Sequence, residues 1–127
     1  MAGKKKTIIA VDDTSLNLII YKKILKSLYA VYTVPSASRM FKLMERIRPD
    51  LILLDVEMPD INGYEAARML KEEAAFREIP IIFLTARDDP VSEKIGFNLG
   101  AEDYIHKPVD SDRLIERIGQ LLSPPPG

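Results

Sequence analysis

Apolar residues gather in five short runs: Ile8–Val11, Val31–Val34, Leu51–Leu54, Ile81–Leu84 and Tyr104–Ile105. The first, third and fourth are continuous rather than alternating, the pattern of strands covered on both faces of a parallel sheet. Between the runs the spacing changes to three and four. Ala37, Met40, Phe41, Met44 and Ile47 recur at helical intervals, as do Leu114, Ile115, Ile118, Leu121 and Leu122. Leu16, Ile20, Ile24 and Leu28 recur at i+4 and mark the first helix. Ser36, and Asp110 or Ser111, stand where N-caps belong. Gly100 stands where a helix C-cap belongs, and Asn62-Gly63 reads as a turn before the third helix.

Strands therefore alternate with helices five times. That predicts an α/β fold with right-handed crossovers and helices on both faces: a doubly wound, five-stranded parallel sheet. One solution has strand order 2-1-3-4-5. Ligands of such sheets bind beyond the carboxyl ends of the strands, where the winding direction switches. With that order the switch lies between the first and third strands.

Length and composition narrow the picture. The chain has 127 residues, which suits one domain, taken here as residues 1–122. Residues 123–127, Ser-Pro-Pro-Pro-Gly, form a Pro-rich tail or the start of a linker. Hydrophobic residues at 46% and charged residues at 29% fit a globular chain and exclude a disordered one. A net charge of −1 gives no general affinity for a nucleic-acid backbone. Zero cysteines exclude a disulfide framework, a cysteine nucleophile and a thiolate metal site, and are compatible with a cytoplasmic location. The apolar runs fall far short of the ~20 residues that span a membrane. Lys4-Lys5-Lys6 reads as a solvated basic tail, since the stretch after it is cut off by two aspartates.

The residues that end the strands carry the chemistry. The first run ends in Asp12-Asp13, the third in Asp55, the fourth in Thr85, and the last leads into His106-Lys107-Pro108. In the proposed order three carboxylates share one cleft at the switch point. Two carboxylates about 4 Å apart repel by roughly 4 kcal/mol at an effective dielectric of 20. Either one holds a proton or a cation joins them. An all-oxygen site favours a hard ion, Mg²⁺ first, then Mn²⁺ or Ca²⁺. Mg²⁺ commonly pairs carboxylates with phosphate oxygens, which Lys107 and the Thr85 hydroxyl are suited to meet. An aspartate can itself be the nucleophile and form an acyl phosphate.

These residues resemble the response-regulator receiver domains of two-component signalling, whose fold is a flavodoxin-like (βα)5 sheet. The resemblance runs from Ile8 to about Leu122. It rests on Val11-Asp12-Asp13, on Leu53-Leu54-Asp55-Val56-Glu57-Met58-Pro59 with Gly63, on Thr85-Ala86, and on Gly100 through Pro108. It implies that Asp55 accepts a phosphoryl group from a phosphohistidine of a sensor histidine kinase or phosphotransfer protein. It implies Mg²⁺ held by Asp13, Asp55 and the backbone carbonyl of Glu57, with Asp12 acting mainly through water. Lys107 would pair with the phosphoryl group, Thr85 would bond one of its oxygens, and the small Ala86 would leave room. The Lys107-Pro108 peptide would be cis. The expected protein is a switch that removes its own phosphoryl group, with neither nucleic acid nor membrane as a direct partner.

The resemblance also bears on positions around the site. Glu57 and Arg87 would flank the path of the hydrolytic water, and an ion pair between them would tune the lifetime of the phosphorylated state. Tyr104 would couple the cleft to the face formed by the fourth helix, fifth strand and fifth helix, or else stand half-exposed on an edge strand. His106 is expected at the surface. Glu93, Lys94, Glu102, Asp103, Arg113, Glu116 and Arg117 on that face suit a solvated surface or a symmetric homodimer. An output domain following the Pro-rich end is a further expectation, beside a stand-alone regulator. A haloacid-dehalogenase-type phosphatase would place its nucleophile on the first strand and its acidic pair late, the reverse of the order here. An FMN carrier would need a Ser/Thr/Gly-rich loop after the first strand, and a pseudo-receiver would not need Asp12, Asp13, Asp55, Thr85 and Lys107 all intact.

Overall fold

Each predicted run is a strand, and each lies within one residue of its expected bounds or extends them. The structure, a computed structural model, describes residues 5–122; Lys4 of the basic start and the Pro-rich end lie outside the described residues, and Lys5 and Lys6 are exposed as expected. The element order is β1 (Thr7–Val11), α1 (Ser15–Leu25), β2 (Ala30–Val34), α2 (Ala37–Leu43), β3 (Leu51–Leu54), α3 (Gly63–Glu72), β4 (Ile81–Thr85), α4 (Pro90–Asn98), β5 (Asp103–His106) and α5 (Ser111–Leu122). The strands form one parallel sheet in the order β2-β1-β3-β4-β5, as expected.

Alternation along the strands divides the core into two layers. Ile9, Val11, Ile52, Leu54, Ile81 and Phe83 pack on one face beneath Met40 of α2 and Ala66 and Leu70 of α3. Ile8, Ala10, Leu51, Leu53, Ile82, Leu84 and Ile105 pack on the other beneath Tyr21 and Leu25 of α1 and Leu114 and Ile118 of α5. Both faces of β1, β3 and β4 are therefore dry, which is why those runs are continuous.

Caps hold the helix ends where expected. Ser36 accepts a hydrogen bond from the Arg39 N–H, and Asp110 Oδ1 accepts from the N–H groups of Asp112 and Arg113. Gly100, at φ +96°, follows the last turn of α4.

Two readings need correction. Asn62-Gly63 is no free turn: Asn62 is the N-cap of α3 in a reciprocal capping box with Glu65, and Gly63 is its first residue. The row Leu16, Ile20, Ile24, Leu28 is not the packed face of the first helix. Leu16 is 62% exposed, Ile20 and Leu28 are also exposed, and Leu28 lies beyond the helix end. Helix α1 is apolar almost all round, so its periodicity does not say which side turns inward. Tyr21 and Leu25 do, with Leu18 and Ile24 partly covered beside them.

Gly63 positions the site. A Cβ built there would lie 2.1 Å from the Asp55 carbonyl oxygen and 2.8 Å from the Val56 Cα, both backbone atoms that cannot step aside. Gly63→Ala is expected to lower stability by about 2 kcal/mol or more, read as a lower urea midpoint. A midpoint equal to wild type would show that the loop yields freely.

Candidate functional site

Parallel register brings the strand ends together. Val11 pairs with Leu54, and the Asp55 N–H donates to the Val11 carbonyl at 3.0 Å. Asp12 and Asp13 therefore sit beside Asp55. Carboxylate oxygens of all three lie within 4.8 Å of one another. Asp12 is fully buried, Asp55 is 6% exposed, and Asp13 faces solvent. Lys107 arrives from the far side, after β5 and ahead of a cis Lys107-Pro108 peptide. Its Nζ lies 2.7 Å from Asp12 Oδ2 and 3.4 Å from Asp55 Oδ2.

Lys107 alone does not secure Asp12. Oδ2 of Asp12 also accepts from the Tyr21 hydroxyl and from Asn17 Nδ2, each at 3.2 Å, and Oδ1 accepts from the Thr14 N–H at 2.9 Å. Asn17 and Tyr21 were not anticipated. Their signal was available: they lie one helical turn apart, five and nine residues after Asp12, and Asn17 interrupts an apolar stretch.

Burial is the main cause that pushes the Asp55 carboxyl up to about 6, and the neighbouring Asp12 charge adds to it. Lys107 opposes both without cancelling them. The Tyr21 phenol is raised as well, by burial first and then by Asp12.

The cleft opens into a space of about 750 Å³ lined in part by Asp13, Glu57, Asn62, Tyr64 and Arg87. Arg87 Nε and Glu57 Oε1 are 3.4 Å apart across this mouth, as the expected ion pair, with both side chains well exposed. Thr85 ends β4 fully buried, and its Oγ1 accepts from the Arg87 N–H at 3.1 Å. Ala86 beside it is exposed.

Tyr104 is buried rather than half-exposed. Its hydroxyl lies 3.2 Å from that of Tyr64, and Tyr64 gives its proton to the Ser92 carbonyl at 2.8 Å, so Tyr104 donates to Tyr64. Gly96 of α4 makes room: a Cβ there would come within 2.9 Å of the Tyr104 ring. The role of Tyr64 was missed in the sequence, where nothing marks a contact across 40 residues. His106 is exposed, with Nε2 3.6 Å from Glu93 Oε2. On the same face Arg117 Nε meets Asp103 Oδ2 at 2.6 Å, an ion pair closed within one chain.

A doubly wound parallel sheet with three carboxylates and a lysine gathered at its switch point defines a class: α/β proteins with an acidic cleft at the carboxyl ends of their strands. Within that class the chain belongs to the response regulator receiver domain family, whose model matches residues 8–119. It is 36% identical over 112 residues to a probable cyclic di-GMP phosphodiesterase of Vibrio cholerae, covering 88% of this chain and 25% of that protein. It is 36% identical over 111 residues to the transcriptional regulatory protein AfsQ1 of Streptomyces coelicolor, covering 87% of this chain and 48% of that protein. The chain thus spans a quarter to about half of these relatives. Its fold matches the receiver domain of the sensor histidine kinase PA1611 from Pseudomonas aeruginosa with a TM-score of 0.85 at 29% identity, covering 94% and 99% of the two chains. That structure holds a magnesium ion coordinated in its active site cleft. Among the described residues of the present chain, no helix is long and apolar enough to cross a membrane.

The raised pKa of Asp55 has a consequence for stability. The folded protein binds this proton more tightly than the unfolded chain, so the Asp55 contribution to stability falls as pH rises through about 4 to 6. The charged carboxylate then costs about 3 kcal/mol at neutral pH. Asp55→Asn is expected to unfold at higher urea than wild type at pH 7.5 in EDTA. The gap should narrow as pH is lowered through 6 and close near 4. A gap independent of pH would contradict this.

Proposed function

We propose that this chain is a phosphoacceptor switch of two-component signalling, with Asp55 as the acceptor. The observation that carries the reading is the convergence of Asp12, Asp13 and Asp55 on Lys107 at the switch point of the sheet. Three carboxylates against one ammonium leave a local excess of negative charge, which a hard cation relieves. Asp13 and Asp55, with the backbone carbonyl of Glu57, would hold Mg²⁺, and Asp12 would act on it through water. When bound, Mg²⁺ would neutralise charge on the oxygens of the group being transferred.

The chain's own residues do the rest. An Asp55 carboxylate oxygen bonds to phosphorus as the phosphorus–nitrogen bond of a phosphoimidazole donor breaks, and the imidazole leaves neutral after taking a proton from water. Lys107 meets the added charge, and the Thr85 hydroxyl donates to a phosphoryl oxygen. Hydrolysis later returns inorganic phosphate and free Asp55, with Glu57 and Arg87 at the mouth governing the approach of water. Thr85 shares β4 with Phe83, which packs on Tyr104 with ring centroids 6.0 Å apart, so a shift at Thr85 reaches the face of α4, β5 and α5. That face passes the signal to a partner protein or to a further region of the polypeptide.

Acetyl phosphate tests this directly. Wild type is expected to gain one phosphate by intact mass only with Mg²⁺, and Asp55→Asn none. No gain in folded wild type would leave a pseudo-receiver. In the same assay Glu57→Ala and Arg87→Ala should change the decay of the phosphorylated mass; three equal decays would remove their role.

The donor protein needs a surface beside Asp13. Helix α1 begins two residues later, and its exposed Leu16 and Ile19 (62% and 63%) offer an apolar contact for a sensor histidine kinase or phosphotransfer protein. Ile19→Lys is expected to slow transfer from a phosphohistidine kinase that phosphorylates wild type by about tenfold or more. Phosphorylation by acetyl phosphate should be unaffected. Equal kinase rates would place the contact elsewhere.

A further inference from the structure

Asp12 receives more hydrogen bonds at one oxygen than that oxygen has lone pairs. Oδ2 accepts from Lys107, Tyr21 and Asn17, whereas Oδ1 accepts from the Thr14 N–H. A carboxylate oxygen offers about two lone-pair sites. With Lys107 in place, one donor is surplus.

The surplus matters when Lys107 moves. Its Nζ stands 2.7 Å from Asp12 and 3.4 Å from Asp55, so a small swing of its flexible stem transfers it from one carboxylate to the other. Asp12 is fully buried. A buried carboxylate stripped of its donors is strongly destabilising. Tyr21 and Asn17 stay behind when the lysine leaves. Tyr21 is the better anchored of the two. Its ring is buried in the layer beneath α1, and Asp12 is the sole protein partner of its hydroxyl among the described residues.

We propose that Tyr21 is a positioning residue: its buried hydroxyl keeps Asp12 satisfied so that Lys107 can leave that carboxylate for a phosphoryl group on Asp55. The inference rests on the phosphoacceptor reading of the same site. It gives Tyr21 a part in the charged state of the switch, although it touches neither the acceptor nor the transferred group. Without the hydroxyl, Asp12 holds Lys107 more tightly, and the phosphoryl-bearing state loses its cation.

Tyr21→Phe keeps the ring, and with it the packing of α1, and removes only the donor. The test compares this variant with wild type in two titrations followed by amide NMR: Mg²⁺ alone, then beryllium fluoride in saturating Mg²⁺ as a phosphoryl mimic on Asp55. The beryllium fluoride Kd is expected to rise about five- to thirtyfold, the loss of one hydrogen bond to a buried charge. Mg²⁺ affinity is expected to be no weaker than wild type. Asn17→Ala should move both titrations in the same directions. An unchanged beryllium fluoride Kd overturns the proposal, and so does a parallel loss of both affinities, which would make Tyr21 merely structural. If wild type itself takes up no beryllium fluoride, the phosphoacceptor reading falls and this inference falls with it.

Discussion

Three carboxylates and one ammonium meet at the carboxyl end of the sheet, and the surrounding structure is arranged to keep them there. Asp12 is tolerated in the interior because Lys107, Tyr21, Asn17 and the Thr14 N–H all donate to it. Asp55 is less well supplied. Its carboxyl is pushed up to about 6 by burial and by Asp12, so the folded chain holds a charged group at neutral pH that it would rather see neutralised. Such stored electrostatic tension is a plain reason for a site to take up a cation or exchange a proton. The two aspartates differ in environment: Asp12 is held by four donors, while burial and the Asp12 charge disfavour the ionised form of Asp55.

The backbone around the site is as constrained as the charges. The β1–β3 register sets Asp55 beside Asp12, and the start of α3 crosses so close to Asp55 that only glycine fits at position 63. The capping box of Asn62 and Glu65 then fixes where that helix begins. One strand further on, β4 carries Thr85 at its end and Phe83 two residues earlier, in contact with Tyr104. Tyr104 is held inward by Tyr64 and by the space above Gly96. The acidic cleft and the α4–β5–α5 face are therefore joined through packed aromatic rings and two hydroxyls rather than through a flexible loop.

Much of this was legible in the chain. Continuous apolar runs at Ile8, Leu51 and Ile81 can be buried strands and little else at that length, and the polar residues that end them had to collect at one edge of a parallel sheet. Asp12, Asp13, Asp55 and Lys107 all stand at or just beyond strand ends, so their gathering in one cleft followed from the strand order. Ser36 and Gly100 marked helix ends through backbone chemistry that is local by nature.

Other features depended on the assembled fold. Helix α1 has apolar residues on nearly every side, so only its seating on the sheet chose Tyr21 and Leu25 over Leu16 and Ile20 as the buried face, and the same choice aimed the Tyr21 hydroxyl at Asp12. Gly63 looked like a turn residue because the Asp55 carbonyl that excludes any side chain there comes from a different segment. Tyr64 and Tyr104 lie 40 residues apart and meet only once α3 and β5 are in place. The sequence by itself determined what was local or periodic: strands, caps, and which polar residues end the strands. Tertiary structure alone decided which atoms face which, because hydrogen bonds and close approaches between distant segments are set by how the layers pack, and no spacing along the chain encodes that.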